Sequence, residues 1–257
     1  MIGDPVTTVR TPRLLEERLA ADGIAADVEV RRVPASGVDT VMRALRADDT
    51  VDGMMVTMPH KRAVIAHLDA ISSTALLVGS VNAVKRTTSG AFVGAQFDGV
   101  ALVRALAAAG ADVAGQRVLL LGFGGAGVAI AHAIMHRGCA ALAIGDPGIA
   151  PDDLSAAIER LHRGAVGTAA TVWDGGGVFD ILVNATPLGM RPKDPSPFTP
   201  DQVAAASGVA DIVADPPQTR LAALAEQSGR LLVSGRDMVR AQIDPIATWL
   251  MSETLDQ

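Results

Sequence analysis

Residues 118–134, Val-Leu-Leu-Leu-Gly-Phe-Gly-Gly-Ala-Gly-Val-Ala-Ile-Ala-His-Ala-Ile, constrain the fold more than any other stretch of the chain. Four apolar residues read as a buried strand, which runs into Gly122, Gly124 and Gly127 and then into a helix rich in Ala, Val and Ile. That is the G-x-G-x-x-G spacing of a βα turn built for a dinucleotide. The first glycine allows the tight turn, the second lets a pyrophosphate approach the backbone, and the third lets helix pack closely on strand. Gly125 and Ala126 fall in the same loop, at the helix start whose N–H groups and dipole attract phosphate. A second apolar strand, 140–144, follows the helix and ends at Gly145-Asp146. Asp146 lies close to the spacing of about 20 residues at which an acidic residue meets the ribose. The bland alternative is a tight βα turn that binds nothing.

The rest of the chain repeats the βα rhythm, which predicts an α/β protein of two domains. Residues 1–100, completed by 235–257, read as a substrate-binding α/β domain, and 101–234 as a Rossmann-type, doubly wound dinucleotide-binding domain. In the first domain strands are expected at 1–6, 26–33, 53–58, 81–85 and 91–93. Helical segments are expected after Thr11-Pro12 and over 38–46, 62–68 and 73–78. A helix over 99–110 leads into strands at 118–121, 140–144, 170–173, 181–184, 209–213 and 231–233, with 174–177 and 191–200 as loops. The tail 237–251 reads as a helix broken or restarted near Pro245.

Composition narrows the function classes. A hydrophobic fraction of 49% supports a sizeable core, and a net charge of −6 argues against a nucleic-acid partner, which would ask for a basic stripe. The single cysteine, Cys139, precedes a buried strand and reads as a small core residue. No apolar run approaches bilayer-spanning length and no leader pattern opens the sequence, so the expectation is a cytoplasmic protein with a small-molecule substrate, without membrane contact, as a monomer or homodimer. His132 and His136 stand at i, i+4, a spacing able to bind metal, but no third ligand accompanies them and no metal is expected.

Polar residues gather where strands run out, which is where open α/β sheets bind ligands. These stretches are Val56-Thr57-Met58-Pro59-His60-Lys61, Val81-Asn82, Gln96-Phe97-Asp98-Gly99 and Asn184-Ala185-Thr186-Pro187. An enzyme that removes hydride from an alcohol needs a group to take the hydroxyl proton. Lys61 suits that role, with Asp98 as its partner; taken alone, each reads equally as a surface charge. Lys85 carries no role in this reading.

Taken together, these segments resemble the shikimate dehydrogenase family, which includes quinate-using members. The matching pieces are Ile2-Gly3-Asp4-Pro5, Gly53 through Lys61 for G-x-N-V-T-x-P-x-K, and Gly79-Ser80-Val81-Asn82 for G-A-V-N. They continue with Asp98-Gly99 for the end of N-T-D-G, the glycine loop, Asn184 through Met190 for N-A-T-x-x-G-M, Asp211-Ile212-Val213 with Pro216, and Gly235, Met238 and Gln242 for G-x-x-M-x-x-x-Q. The resemblance implies reversible hydride transfer between a nicotinamide cofactor and a secondary alcohol or ketone of a cyclic hydroxy acid, within aromatic amino acid biosynthesis. It implies Lys61 and Asp98 as a catalytic dyad, and Thr57, Asn82 and Gln242 as contacts to substrate hydroxyls. It adds Asn184, Ala185, Thr186 and Gly235 to the cofactor site.

The departures carry information too. Where the family has two serines that hold the substrate carboxylate, this chain has Val9 and Thr11, with Arg10 between them as a different anion contact or a solvated side chain. The asparagine of G-x-N-V-T is Met55, the asparagine and threonine of N-T-D are Gln96 and Phe97, and the usual tyrosine after D-x-V is Ala214. Lost donors weaken the hold on a carboxylate, by roughly 1–3 kcal/mol per unpaired buried group, so shikimate is expected to be used poorly. Asp146, followed by Pro147-Gly148, favours NAD over NADP, since family members that use NADP place asparagine, arginine and threonine near this point. A dinucleotide-binding sensor with little turnover is the competing reading.

Overall fold

The computed structural model describes residues 1–6, 11–162 and 169–256. Val9 and Arg10, both singled out by the sequence, lie outside the described residues. The chain divides into two compact units, Met1–Phe97 with Gln242–Gln257, and Asp98–Ala241.

The first unit contains β1 (Ile2–Gly3), α1 (Thr11–Ala21), β2 (Arg31–Arg32), α2 (Val38–Ala47), β3 (Gly53–Met55), β4 (Ala70–Ile71), α3 (Ser73–Val78), β5 (Ala83–Arg86) and β6 (Phe92–Ala95). β3, β5, β6 and β4 form one sheet in that order, and β1 pairs with β2 in a second. A bridge from Ile2 to Val56 ties the two. Helix α2 buries Val38, Met42 and Leu45, the i, i+4, i+7 stripe that a 3.6-residue repeat requires. That stripe joins Ile2, Met54, Val56, Val84 and Phe92 in the core of this unit.

The second unit runs α4 (Asp98–Ala108), β7 (Arg117–Leu121), α5 (Gly125–Arg137), β8 (Ala141–Gly145), α6 (Pro151–His162), β9 (Ala170–Val172), β10 (Ile181–Asn184), α7 (Pro200–Ala205), β11 (Gly208–Asp211), α8 (Arg220–Gln227), β12 (Leu231–Ser234) and the start of α9 (Gly235–Met251). Its six strands are ordered β12-β11-β10-β7-β8-β9 and all pair in parallel. The order reverses between β7 and β10, the switch point at which open sheets of this type bind ligands. Val118, Leu119 and Leu120 are all fully buried, so the sheet is covered on both faces as an all-parallel sheet must be. Leu119 and Leu121 pack with Val203 of α7 and Leu221 and Ala225 of α8.

Several expectations are corrected. The strand expected over 26–33 shrinks to Arg31–Arg32, because the residues before it are largely exposed, with Val30 40% exposed. The segment expected to be helical at 62–68 is a 3₁₀ turn over Ala63–His67. Helices α7 and α8 had not been expected. Both start at threonines that accept from the backbone, Thr199 with Pro200 and a reciprocal Gln202, and Thr219 from the N–H of Ala222. Helix α9 is not broken at Pro245 but runs through it. The proline removes one donor from the ladder, and the buried side chains of Ile243, Ile246, Ala247 and Trp249 keep the helix in place.

Candidate active site

In the second unit, β7 ends at Leu121 and the chain turns at Gly122, whose φ of +101° is left-handed. A Cβ there would stand 2.5 Å from the carbonyl carbon of Ala185, and one on Gly127 would strike the carbonyl of Gly122. Gly124, the N-cap of α5, differs from both: its missing Cβ would meet nothing within 4 Å. The outer two glycines thus serve packing, and the middle one leaves open approach to the start of a thirteen-residue helix led by Gly125 and Ala126. A helix N-terminus reached through such an opening fits the pyrophosphate of a dinucleotide.

Asp146 follows β8 and holds this loop. Its Oδ2 accepts from the Phe123 N–H at 2.7 Å and its Oδ1 from the Gly148 N–H at 2.8 Å. The one arginine between Gly122 and Ala150, Arg137, ends α5 in an ion pair with Asp112. His132 and His136 stack with ring centres 6.1 Å apart, and burial, aided by the second ring, pushes the His132 pKa down.

Across the switch point, β10 ends at Asn184, which is fully buried. Its Nδ2 donates to the Leu188 carbonyl (3.0 Å) and to Asp211 Oδ1 (2.9 Å). Its Oδ1 accepts from the N–H and hydroxyl of Thr186 at 3.1 and 2.6 Å. Every hydrogen-bonding slot of the amide is filled within the protein, so Asn184 shapes the turn that carries Ala185 and Thr186. Gly235 is a close-approach glycine, since a Cβ on it would press on the backbone of 212–214.

In the first unit, the stretch from Val56 to Lys61 is pinned by backbone bonds. Val56 donates to Asn82, Thr57 to Ile2 and His60 to Thr57, while Val81 donates to the Lys61 carbonyl at 2.7 Å. His60, expected only as part of a motif, is buried and its Nε2 bonds the Val33 carbonyl at 2.7 Å. Lys61 is half-buried, and its backbone adjoins Val81 and so the buried Asn82. Asn82 Nδ2 donates to Gln242 Oε1 at 3.2 Å, and its Oδ1 accepts from the Phe97 N–H at 2.9 Å. Asn82 and Gln242, 160 residues apart, are thus brought together. A second buried pair, Gln96 Nε2 to Ser80 Oγ at 2.8 Å, had not been expected. Thr11 is the buried first residue of α1, and Asp98, also buried, is the first of α4.

Two readings change here. The sequence reads Phe97 as a lost donor facing substrate. It is buried with its ring edge-on to Trp249, 5.7 Å between centres, so packing against α9 accounts for it. Lys85 carries no role in the sequence reading. It is buried, and its Nζ donates to the carbonyls of Trp249 (3.1 Å), Ser252 (2.8 Å) and Thr254 (2.8 Å) beneath the Trp249 ring. Burial pushes its pKa down. Alternation along β5 sets Lys85 on the face opposite the core residue Val84, a place where a lysine reads as solvated.

A parallel, doubly wound sheet with a glycine loop at its switch point, in a chain that also carries a second α/β unit, defines a two-domain α/β protein with a Rossmann-type domain. Comparison with known proteins gives the family. Residues 1–84 match the family model described as the shikimate dehydrogenase substrate binding domain. The chain is 33% identical to a shikimate dehydrogenase (NADP(+)) of Rubrobacter xylanophilus over 249 residues, covering 94% of this chain and 86% of that one. Among solved structures it is similar to the ligand-free 5-ketofructose reductase of Gluconobacter sp. strain CHM43, with 28% identity, a TM-score of 0.81, and 99% and 92% of the two chains covered. It is also similar to shikimate 5-dehydrogenase from Listeria monocytogenes in complex with shikimate and NAD, with 26% identity, a TM-score of 0.80, and 96% and 90% covered. The chain belongs to the shikimate dehydrogenase family, whose members are oxidoreductases acting on a CH–OH group.

Proposed function

We propose that this protein interconverts a polyhydroxylated secondary alcohol and its ketone, with Lys61 and Asp98 handling the hydroxyl proton and NAD preferred over NADP. The observation that carries the reading is the buried pairing of Asn82 with Gln242, beside the backbone that bears Lys61. Two amides 160 residues apart, Asn82 with its backbone bonded to Val56 beside Thr57 and Gln242 on α9, make a polar wall suited to substrate hydroxyls. In the oxidising direction the Lys61 amine accepts the hydroxyl proton, and in the reducing direction its ammonium returns one to the carbonyl oxygen. Asp98 orients the ammonium and accepts from a neighbouring hydroxyl. A bound nicotinamide supplies or receives the hydride.

The substrate class follows from the rewritten carboxylate site. Val9 offers no donor and Thr11 is buried at the start of α1, so a free carboxylate gains less here than where two serines stand. The likeness to a protein named for a keto-sugar, 5-ketofructose, supports polyols without a carboxylate as the better substrates. Shikimate is expected to be a poor substrate, its deficit residing largely in KM.

For the cofactor, the Asp146 carboxylate beside the glycine loop supports acceptance of a ribose 2′-hydroxyl and repulsion of a 2′-phosphate. The Rubrobacter relative is named for NADP(+), whereas the Listeria relative was solved with NAD. The test is a panel of shikimate, quinate, keto-sugars and polyols, each with both cofactors, following the reduced nicotinamide. NAD is expected to give the higher kcat/KM, and Asp146→Ala to narrow the gap. A tenfold preference for NADP would remove the cofactor reading, and no turnover of any substrate would favour the sensor.

A further inference from the structure

Asp211 ends β11, is 2% exposed, and has no part in the chemistry described so far. Its carboxylate collects three donors. Oδ1 accepts from Asn184 Nδ2 at 2.9 Å and from the Val213 N–H at 3.2 Å, and Oδ2 accepts from the Thr219 hydroxyl at 2.5 Å. Thr219 Oγ1 in turn accepts from the Ala222 N–H at 3.0 Å, which places the carboxylate at the N-terminus of α8. Through Asn184 the same carboxylate reaches the turn 184–188, where Thr186 Oγ1 also accepts from the Leu188 N–H at 3.1 Å. That turn lies against the glycine loop, since Ala185 donates to the Leu121 carbonyl at 2.6 Å and fills the space a Cβ on Gly122 would need.

The sheet order says which part of a dinucleotide this turn meets. Asp146 follows β8 on one side of β7, and Asn184 ends β10 on the other. With the pyrophosphate at the β7–α5 loop and the adenosine ribose at Asp146, the turn after β10 falls on the nicotinamide side. Building on the proposed dinucleotide reading, we infer that Asp211 is a positioning residue for the nicotinamide half, acting through Asn184 on the 184–188 turn. A charged acceptor suits the task because Asn184, Val213 and Thr219 all present donors. Asparagine at 211 would offer one acceptor oxygen and turn its NH₂ toward a donor. Burial pushes the Asp211 carboxyl pKa up, and the three hydrogen bonds oppose that.

The experiment measures binding of NAD and of ADP, which lacks the nicotinamide nucleoside, to wild type and to Asp211→Asn. NAD affinity is expected to fall roughly tenfold, the scale of one lost charge-assisted hydrogen bond, while ADP affinity stays within about twofold. Asn184→Ala is expected to show the same split, and the double variant to be no worse than the poorer single one. If Asp211→Asn does not accumulate as folded protein, Thr219→Val removes one donor while keeping the carboxylate, and a fall of about threefold for NAD alone is expected. Equal losses for NAD and ADP, or no loss for NAD, would overturn the positioning role while leaving the dinucleotide reading intact. Wild type that binds neither nucleotide would overturn both.

Discussion

The two units each keep a buried polar network, but they assemble it from different distances along the chain. In the dinucleotide-type unit, Asn184 bonds Thr186 and Leu188, a few residues on, and meets an aspartate one βαβ step away. In the N-terminal unit, Asn82 waits for Gln242 and Lys85 for Trp249, Ser252 and Thr254, partners some 160 residues later. The first network closes within consecutive elements. The second closes only when α9 has returned to its sheet. A site of the second kind can change its ligand by small edits at scattered positions, because no single turn dictates its shape. A site of the first kind is held by its backbone.

The largest effect that would test this contrast belongs to Lys61. Lys61→Ala should lower kcat on the best substrate by about 10²–10⁴, the usual contribution of a proton-transfer group, with NAD affinity nearly unchanged. Asp98→Asn should lower kcat and raise KM together, because in the proposed site its carboxylate also accepts from a substrate hydroxyl. The exposed Lys193 is the control, and Lys193→Ala should be neutral. Retention of more than half the activity in Lys61→Ala would sink the dyad.

Next in size is Lys85, which replaces its earlier reading as a silent position. Lys85→Met keeps an apolar stem but strips three carbonyls of their donor, and should cost about 1–3 kcal/mol in denaturant unfolding. Cofactor affinity should not move, because the loss falls in the unit that depends on α9. An unchanged unfolding midpoint would show that the remote network adds nothing to stability.

This contrast also explains what could be read in advance. The strand, glycine loop and helix over 118–134 are contiguous, so their spacing carries the fold of the second unit in one local stretch of sequence. Helix α8 was missed although Thr219 caps it, because the eight-residue Arg220–Gln227 segment has too few turns to show a clear repeat. Lys85 was misread for a different reason. A lysine on a strand reads as solvated unless one knows that α9 covers that face, and a partner 164 residues away leaves no local trace. Asn184 stands in a legible motif, but the saturation of its amide is visible only in three dimensions. Asp211 stood in a matching motif, yet sequence alone could not show that its three donors converge.

A smaller change sharpens the substrate side. Placing serine at both Val9 and Thr11 should lower the KM for shikimate several-fold, on the order of one recovered hydrogen bond, while leaving kcat for a carboxylate-free polyol unaffected. A double variant with unaltered shikimate kinetics would show that the carboxylate site was lost for other reasons than these two donors.

The smallest expected effect lies at the opposite end of the second unit's sheet, where Asp180 closes β10 onto β7. Its carboxylate accepts from the Arg117 N–H at 2.8 Å and from the Arg117 guanidinium at 2.9 and 3.1 Å. The Arg117 side-chain hydrogen bonds, followed by the backbone bond, hold the Asp180 carboxyl down at about 2. A carboxylate with a depressed folded-state pKa stabilises the protein above its unfolded value of about 3.9, and that contribution is lost as pH falls toward about 2. Solvent screens the pair, for half of the Arg117 side chain is exposed, so the contribution is small. Asp180→Asn should therefore lower Tm at pH 7 by under about 4 °C, and the gap to wild type should shrink steadily between pH 4 and the acid limit of folding. Turnover should be untouched, because Asp180 sits before β10 while the proposed cofactor turn at Asn184 and Ala185 follows from its other end. A gap that stays constant down to pH 3 would mean that the neutral amide loses shape rather than charge, and the ion pair would no longer count among the forces that join these strands.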